Sequence, residues 1–401
     1  MASAASEPAY AEPAYAELEE LMSARLGGRR CLYVPSCRLG LYLALRHWCE
    51  PGGRVLMSPV NDDVILFVVL AAGLRPVQAP LDPRTGGIDP AAVPETVWRG
   101  LSAVVTTNLY GNPDPAPGLR ARCDALGIPL VEDAAHAIGS TVGGRPVGTY
   151  GEASVFSLSK HTHARTGGFL TIADPGAYTE LAAARDALLH PARRTAELAY
   201  LLRPYAEATV RTLRLTGAAR TALRLLGQEE REEIRMPLRP DALKQALAAA
   251  PALAPFESWV RVDLHEYRLR PGRARLRRTV RRLRGLEGTL AAHRAGVGRL
   301  LESRWGCADG AVPPHPQPLF RVPLLVADRD AAIAALARHR ITTGYLYDPP
   351  LDAYAGQEFT DPSPAPEPAA WFARHALPVD PLKAGPVLSV LRAAGVEPVR
   401  P

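Results

Sequence analysis

The feature that most constrains this chain is an alternation within its first 175 residues, where short apolar runs of strand length take turns with stretches of helix length. Parallel strands need a crossover between them, and the crossover helices then cover both faces of the sheet. Such a pattern therefore predicts an α/β fold with a mostly parallel sheet flanked by helices. Glu17–Leu26 reads as a helix. Ser36 is placed to cap Cys37–Trp48, in which Leu39, Leu43 and Leu45 recur near helical spacing. Pro51-Gly52-Gly53 is a turn before a short strand, Arg54–Met57. Asp63–Ala72 is apolar, of helix length, and stops at Gly73. Pro76–Ala79, Leu101–Thr107 and Pro129–Val131 read as strands, and Leu119–Leu126 as a helix ended by Gly127. Ala153–Leu158 and Phe169–Ala173 are two further strands.

From Tyr178 to Leu301 the strand signal vanishes, and an Ala/Leu/Arg-rich stretch reads as helical, interrupted by prolines. Leu319–Val326 and Ile341–Tyr347 then read as strands around a helix at Asp328–His339, and Ala369–Ala376 and Ala384–Ala394 as helices. This divides the chain into a large α/β domain with a helical extension, residues 1–240, and a smaller C-terminal α+β domain, residues 241–401. No run is apolar and long enough to span a bilayer, and Met1–Leu26 lacks a basic start and an apolar core. A cytoplasmic location is the expectation. Five cysteines without CxxC spacing suggest reduced thiols rather than a disulfide framework or a zinc site, and no metal is expected. The net charge of +6 comes from an arginine-biased chain, so it points only weakly to nucleic acid. Arg261–Arg284 is rich in arginine without interleaved stacking aromatics and reads as a solvated helix face.

Two clusters could carry chemistry. Val131-Glu132-Asp133-Ala134-Ala135-His136 puts acids at the carboxyl end of a buried parallel strand, where open α/β sheets bind ligands. Asp133 would equally serve there as a helix cap. Phe156-Ser157-Leu158-Ser159-Lys160 follows the next strand, and Gly167-Gly168 comes seven residues after the lysine. A lysine at a strand end can form a Schiff base with an aldehyde. A lone lysine is ordinarily a solvated charge, but the chain holds only Lys160, Lys244 and Lys383. Chance puts one of three in a given four-residue window roughly 3% of the time.

Together, an acidic strand end, a Ser and Lys after the following strand and then Gly-Gly resemble fold-type I enzymes that use pyridoxal 5′-phosphate (PLP). Val131–Asp174 looks like the DegT/StrS family of sugar aminotransferases, with Gly144-Arg145-Pro146-Val147-Gly148 as its middle element. Pro35-Ser36-Cys37-Arg38 resembles that family's phosphate-site turn, and Asn108-Leu109-Tyr110-Gly111 its H-L-Y-G segment. The resemblance covers roughly residues 30–175 and 318–395. It implies that Asp133 pairs with the pyridine nitrogen and keeps the ring an electron sink. It implies Lys160 as Schiff-base lysine and proton shuttle, His136 against the ring and Ser157 on the phosphate. The N–H groups of Cys37 and Arg38 would complete an anion cradle at a helix N-terminus. The Arg38 side chain reads equally as ligand-facing or as a solvated helix residue.

The resemblance further implies an aminotransferase, working as a homodimer on small molecules. It would move an amino group from an amino acid, L-glutamate, to a keto-sugar, cyclitol ketone or related ketone. Three departures stand out. Counting from Phe156 puts Thr162 at the lysine position, whereas counting back from Gly167-Gly168 puts Lys160 there, and the second count is preferred. Pro59–Asp63 lacks the family's Thr and aromatic residue and offers Asp62 and Asp63 instead. The family's N-Y-R segment, which reaches into the partner subunit's site, is matched at best by Glu266-Tyr267-Arg268. Alternatives are other PLP chemistry on the same fold, such as a keto-sugar dehydratase with His in place of Lys, or a non-catalytic paralogue.

Overall fold

A computed structural model describes residues 13–164, 166–192, 195, 197, 235–261, 266–307 and 313–401. Its centre is a seven-stranded sheet in the order β1-β9-β8-β5-β4-β2-β3. The strands are β1 (Arg30–Val34), β2 (Arg54–Met57), β3 (Arg75–Gln78), β4 (Ala103–Thr106), β5 (Leu130–Asp133), β8 (Ala153–Ser157) and β9 (Gly168–Ile172). The short pair β6 (Thr141–Val142) and β7 (Arg145–Pro146) lies between β5 and β8. The pairs β2/β3, β2/β4, β4/β5 and β5/β8 are parallel, whereas β9 runs antiparallel to both β8 and β1.

Both faces of the sheet are dry because side chains alternate across a strand. Val55 and Met57 of β2 and Val131 of β5 join one core, and Leu56 and Leu130 join the other. The first core is filled by α2 (Cys37–Trp48) and α3 (Asp63–Ala71). All nine residues of α3 are buried, which fits a helix apolar on every side. Its outer surface is covered by the segment around the short helix Glu257–Val260, with Phe67 stacked on Trp259 at 5.5 Å. On the other face lie α1 (Pro13–Arg25), α4 (Ala116–Leu126) and the helix Arg273–Arg284. Gly127 ends α4 at φ +65°, a conformation glycine adopts without steric cost.

The C-terminal part is a two-stranded antiparallel sheet, β10 (Val322–Leu325) with β11 (Ala376–Val379), packed by helices Leu286–Leu301, Arg329–Arg338 and Ala384–Ala393. Three expectations need correction. Arg30–Val34, not anticipated as a strand, is one edge of the main sheet. Ala376–Val379 is likewise a strand that was not anticipated. Ile341–Tyr347, expected as a strand, is irregular: it meets β11 through one bond, Gly344 N–H to Pro378 O at 2.7 Å. Pro378 has no N–H to return, so a ladder cannot propagate along that edge. Of the helical stretch expected over Tyr178–Leu301, residues 198–234 lie outside those described. Arg261 and residues 266–272 are not helical, and the arginine-rich helix begins at Arg273. Among the described residues, no helix is long and apolar enough to cross a membrane, and no cluster of three His, Cys, Asp or Glu could hold a metal ion.

Candidate active site

Adjacent parallel strands bring the two sequence clusters together. β5 and β8 pair with Asp133 opposite Val155, so Asp133 and the segment from Ser157 to Lys160 emerge at the same carboxyl edge. Gly168 opens β9 where a side chain would collide with the Phe156 carbonyl oxygen and would stand 3.2 Å from the Cys37 nitrogen. Glycine there lets the strand start pass under the first turn of α2. A cavity of about 330 Å³ lies between these elements, with Cys37, Asp133, His136, Ser157, Ser159 and Lys160 on its wall. Arg38 lines it as well.

Each of these side chains is held in a definite way. Asp133 is 4% exposed; its Oδ1 accepts the Ala135 N–H at 3.0 Å and lies 4.0 Å from the Cys37 sulfur. Burial pushes its carboxyl up to about 7, against the pull of the Ala135 N–H and of Lys160. Burial also lowers the Lys160 amine, and the largest charge opposing that shift is Asp62. The Lys160 Nζ stands 5.4 Å from the Phe320 ring centre and 5.7 Å from that of Tyr345. His136 is stacked on Phe320 at 5.2 Å, and burial holds its imidazole well below the usual range, neutral at pH 7. Burial, first, and the nearby Asp133 keep the Cys37 thiol protonated. Ser157 and Ser159 share a hydrogen bond at 2.8 Å. Ser36 caps α2, its Oγ accepting the Leu39 N–H at 3.3 Å. The N–H groups of Cys37 and Arg38 head that helix, beyond the reach of its own carbonyls. The Arg38 guanidinium turns away to the Val260 carbonyl at 2.9 Å and lies over the Tyr267 ring.

Of the two counts to the lysine, the structure places Lys160 on the cavity. Thr162 is buried and hydrogen-bonds the Leu158 carbonyl. Of the two acids after Pro59, Asp62 lines the cavity, whereas Asp63 is buried and accepts the Met236 N–H at 2.7 Å. Glu266 and Tyr267, which the resemblance sends toward a partner subunit, line the cavity of their own chain, and Arg268 pairs with Glu257.

Other residues of the site escaped sequence reasoning. Tyr345 and Tyr347 line the cavity from the irregular segment taken for a strand, and Phe320 sits just before β10. Glu132 is the anchor of the β7–β8 loop: its carboxylate accepts the N–H groups of Gly148, Tyr150 and Gly151 at 2.7–2.8 Å. The alternation of Gly148 and Gly151 around Tyr150 was the available signal, since bare backbone there must approach an acceptor closely. Asp114 accepts the N–H groups of Ile88, Thr107 and Asn108, and Asn108 in turn donates from Nδ2 to the Asp133 carbonyl at 2.9 Å. Asn108 and Tyr110 both have positive φ, at 44° and 56°. Such strained backbone persists where its surroundings over-determine it, typically at functional sites.

The wall thus combines a buried amine, a buried carboxylate, a neutral flat imidazole and an anion-seeking helix start. Comparison with known proteins points the same way. Residues 4–195 match the DegT/DnrJ/EryC1/StrS aminotransferase family. The chain is 31% identical over 165 residues to the spore coat polysaccharide biosynthesis protein SpsC of Bacillus subtilis, covering 40% of this chain and 42% of that one. It is 41% identical over 143 residues to the L-glutamine:2-deoxy-scyllo-inosose aminotransferase of Streptoalloteichus tenebrarius, covering 35% and 34%. These matches span less than half the length of either relative. The fold is shared with the E. coli GDP-4-keto-6-deoxy-D-mannose-3-dehydratase solved with hydrated PLP, at a TM-score of 0.66 and 15% identity, over 96% of this chain and 92% of that one. Residues 4–195 of this chain are thus similar to the DegT/DnrJ/EryC1/StrS aminotransferase family, and the chain shares its fold with that solved dehydratase.

Proposed function

We propose that this protein is a PLP-dependent aminotransferase that moves an amino group from L-glutamate to a keto-sugar, a cyclitol ketone or a related biosynthetic ketone. The observation that carries this reading is the meeting of Lys160 and Asp133 in one cavity headed by the start of α2. The residues present fit the cofactor. The Cys37 and Arg38 N–H groups with Ser157 would hold its phosphate, Asp133 its ring nitrogen, His136 its ring face and Lys160 its aldehyde. Gly168 supports the fit, because any side chain there would displace the strand start from the helix that forms the anion cradle. When bound, PLP supplies an electron sink that stabilises a carbanion at the substrate carbon bearing nitrogen.

The chain's own groups then divide the work. Burial favours the uncharged Lys160 amine, which makes it a base able to take a proton from the donor carbon and return one to the acceptor carbon. A cofactor ring nitrogen carrying a proton would draw Asp133 back to its anionic form, because an adjacent positive charge favours the carboxylate. Neutral His136 adds no competing positive charge beside the ring. The donor exchanges its C–N bond for a carbonyl oxygen taken from water and leaves as an oxo acid, while the acceptor carbonyl gains that nitrogen and releases one water. In this reading residues 1–240 carry the anchors of the cofactor, and residues 241–401 supply Glu266, Tyr267, Tyr345 and Tyr347 to the substrate side. The family resemblance supports a cytoplasmic homodimer.

A dehydratase reading is motivated by the fold neighbour, but it places His at the lysine position. Here His161 is buried against the Pro318 carbonyl and His163 is exposed; neither lines the cavity. The test is an absorption spectrum of the protein with PLP, then borohydride reduction and peptide mapping. A pyridoxyl label on Lys160 and bleaching of the chromophore by glutamate are expected. A label elsewhere, or PLP bound with no response to any amine donor, would overturn aminotransfer in favour of the dehydratase or the non-catalytic reading.

A further inference from the structure

We propose that Tyr110 is a positioning residue for Lys160, holding in place two aromatic rings beside its amine and so keeping water from it. The inference deepens the aminotransferase reading and rests on it, because there the amine must be dry and uncharged to take a proton.

The Lys160 Nζ stands 5.4 Å from the ring centre of Phe320 and 5.7 Å from that of Tyr345. These rings come from separate runs of the C-terminal part, one just before β10 and one in the irregular stretch that forms no ladder. Both runs are fastened to Tyr110. Its main-chain carbonyl accepts the Phe320 N–H at 2.8 Å and the Arg321 N–H at 3.2 Å, and its hydroxyl donates to the Tyr345 carbonyl at 2.8 Å. Its ring lies nearly parallel to that of Tyr347 at 5.6 Å and to that of His136 at 6.4 Å. One residue thus touches the cofactor side of the cavity and both runs that carry rings to the amine.

The backbone argues that this side chain is needed for itself. Tyr110 has φ 56° and ψ 8°, a left-handed conformation that crowds the Cβ of a bulky residue and suits glycine or asparagine better. A tyrosine persists there only where its contacts outweigh the strain. At the next residue, Gly111, a side chain would come within 2.5 Å of the His136 carbonyl oxygen and 3.1 Å of the Phe320 nitrogen. The turn is therefore pressed against both of them. Burial raises the Tyr110 phenol above its usual range, so the hydroxyl stays a donor at neutral pH.

The effect on Lys160 follows from desolvation. Burial is the largest influence on its amine and disfavours the charged form. The charged or titratable groups that face it are Asp62, Asp133, Cys37, Arg38, Arg321 and His136. Removing one phenolic oxygen from Tyr110 alters none of them. A Tyr345 carbonyl that has lost this donor turns toward water, and water that reaches the amine restores its affinity for a proton.

The test uses Tyr110→Phe, which keeps the ring and the main-chain carbonyl and removes only the hydroxyl. The full-length chain, freed of cofactor, is mixed with PLP over a range of pH, and the rate of chromophore formation reports the uncharged fraction of Lys160. The midpoint should rise by about one pH unit, read as about tenfold slower capture below it. Tyr345→Leu should raise the midpoint in the same direction, and adding Tyr110→Phe to it should raise it little further, since both act through one ring. Amide hydrogen exchange of the cofactor-free chain is the second readout. The Tyr110→Phe variant should exchange faster over residues 341–347, while the Phe320 and Arg321 amides, bonded to the retained carbonyl, stay protected. An unmoved midpoint, or two substitutions that add fully, overturns the inference and leaves aminotransfer standing. Exchange that rises equally over both runs gives Tyr110 a general packing role and overturns it too. If borohydride leaves no pyridoxyl label on Lys160 of the wild type, the aminotransferase reading falls and takes the inference with it.

Discussion

Replacing Asp133 with Asn should make the cofactor-free protein more stable at neutral pH while removing its capacity for chemistry. Asn keeps an Oδ1 to accept the Ala135 N–H, so the geometry has little reason to change. What changes is the cost of ionisation. The Asp133 carboxyl, raised by burial from 3.8 to about 7, holds its proton in the folded chain over a range where the unfolded chain has lost it. The folded state then binds more protons, and stability falls as pH rises. The contribution is fully present below 3.8 and is lost progressively up to pH 7. At 1.36 kcal/mol per pKa unit the whole range is worth about 4 kcal/mol. Asn does not titrate, so variant and wild type should be nearly equal at pH 4. The variant should then gain about 1.4 kcal/mol per pH unit until the gap levels near pH 7. Urea unfolding of both proteins from pH 4 to 8, taken as a difference, cancels the other titrating groups. A gap that stays flat across this range, or that widens in favour of wild type, would refute the reasoning. The same variant should fail to bleach with glutamate when loaded with PLP, because Asn cannot hold a proton on the ring nitrogen.

Other perturbations test the supports of the site. Gly168→Ala should cost about 3 kcal/mol and weaken PLP binding, because the methyl group meets the Phe156 carbonyl and the α2 start; thermal unfolding and a PLP titration measure the two effects. Glu132→Gln turns an NH₂ group toward backbone donors in a pocket built for three N–H groups. A loss of about 3 kcal/mol in urea unfolding is expected, and a neutral result would show that the β7–β8 loop does not depend on it. Burial, first, and His293 hold His161 down at about 3, so the unfolded chain takes up a proton that the folded one refuses. His161→Gln should therefore flatten the fall in Tm as pH drops below 6.5, and an unchanged acid limb would contradict the assignment.

What was legible in the sequence was what has a spacing or a rarity. Lys160 stood out because the chain has so few lysines and because Gly167-Gly168 follows at a set distance. Asp133 stood out because the strand before it is short, apolar and bounded. β1 passed unseen because Arg30–Val34 lies between a helix and a helix cap, and its four buried residues show no alternation. β11 was hidden by Pro378, which reads against a strand and is tolerated only because the sheet has two strands and the proline sits at an edge. Tyr345 and Tyr347 alternate as a strand would, yet they serve as a wall, since strand character needs a neighbour able to complete the ladder. Side chains that act across the fold, such as Phe320 against His136, leave no local pattern at all.

The adjacency of β5 and β8 has a consequence for how such a site can diversify. The carboxylate ends β5 and the amine follows the end of the neighbouring β8 by three residues, and the separation of those strands, about 4.8 Å, is a property of the hydrogen-bonded backbone. One jaw of the cavity is thereby machined to a fixed gauge. The opposite jaw is made of loops and caps: Asn61 and Asp62 before α3, Glu266 and Tyr267, and the irregular run through Tyr345 and Tyr347. Those residues can be exchanged to suit a new acceptor without altering the gauge, so a change of substrate in this architecture is a change of inserts in an unchanged vice.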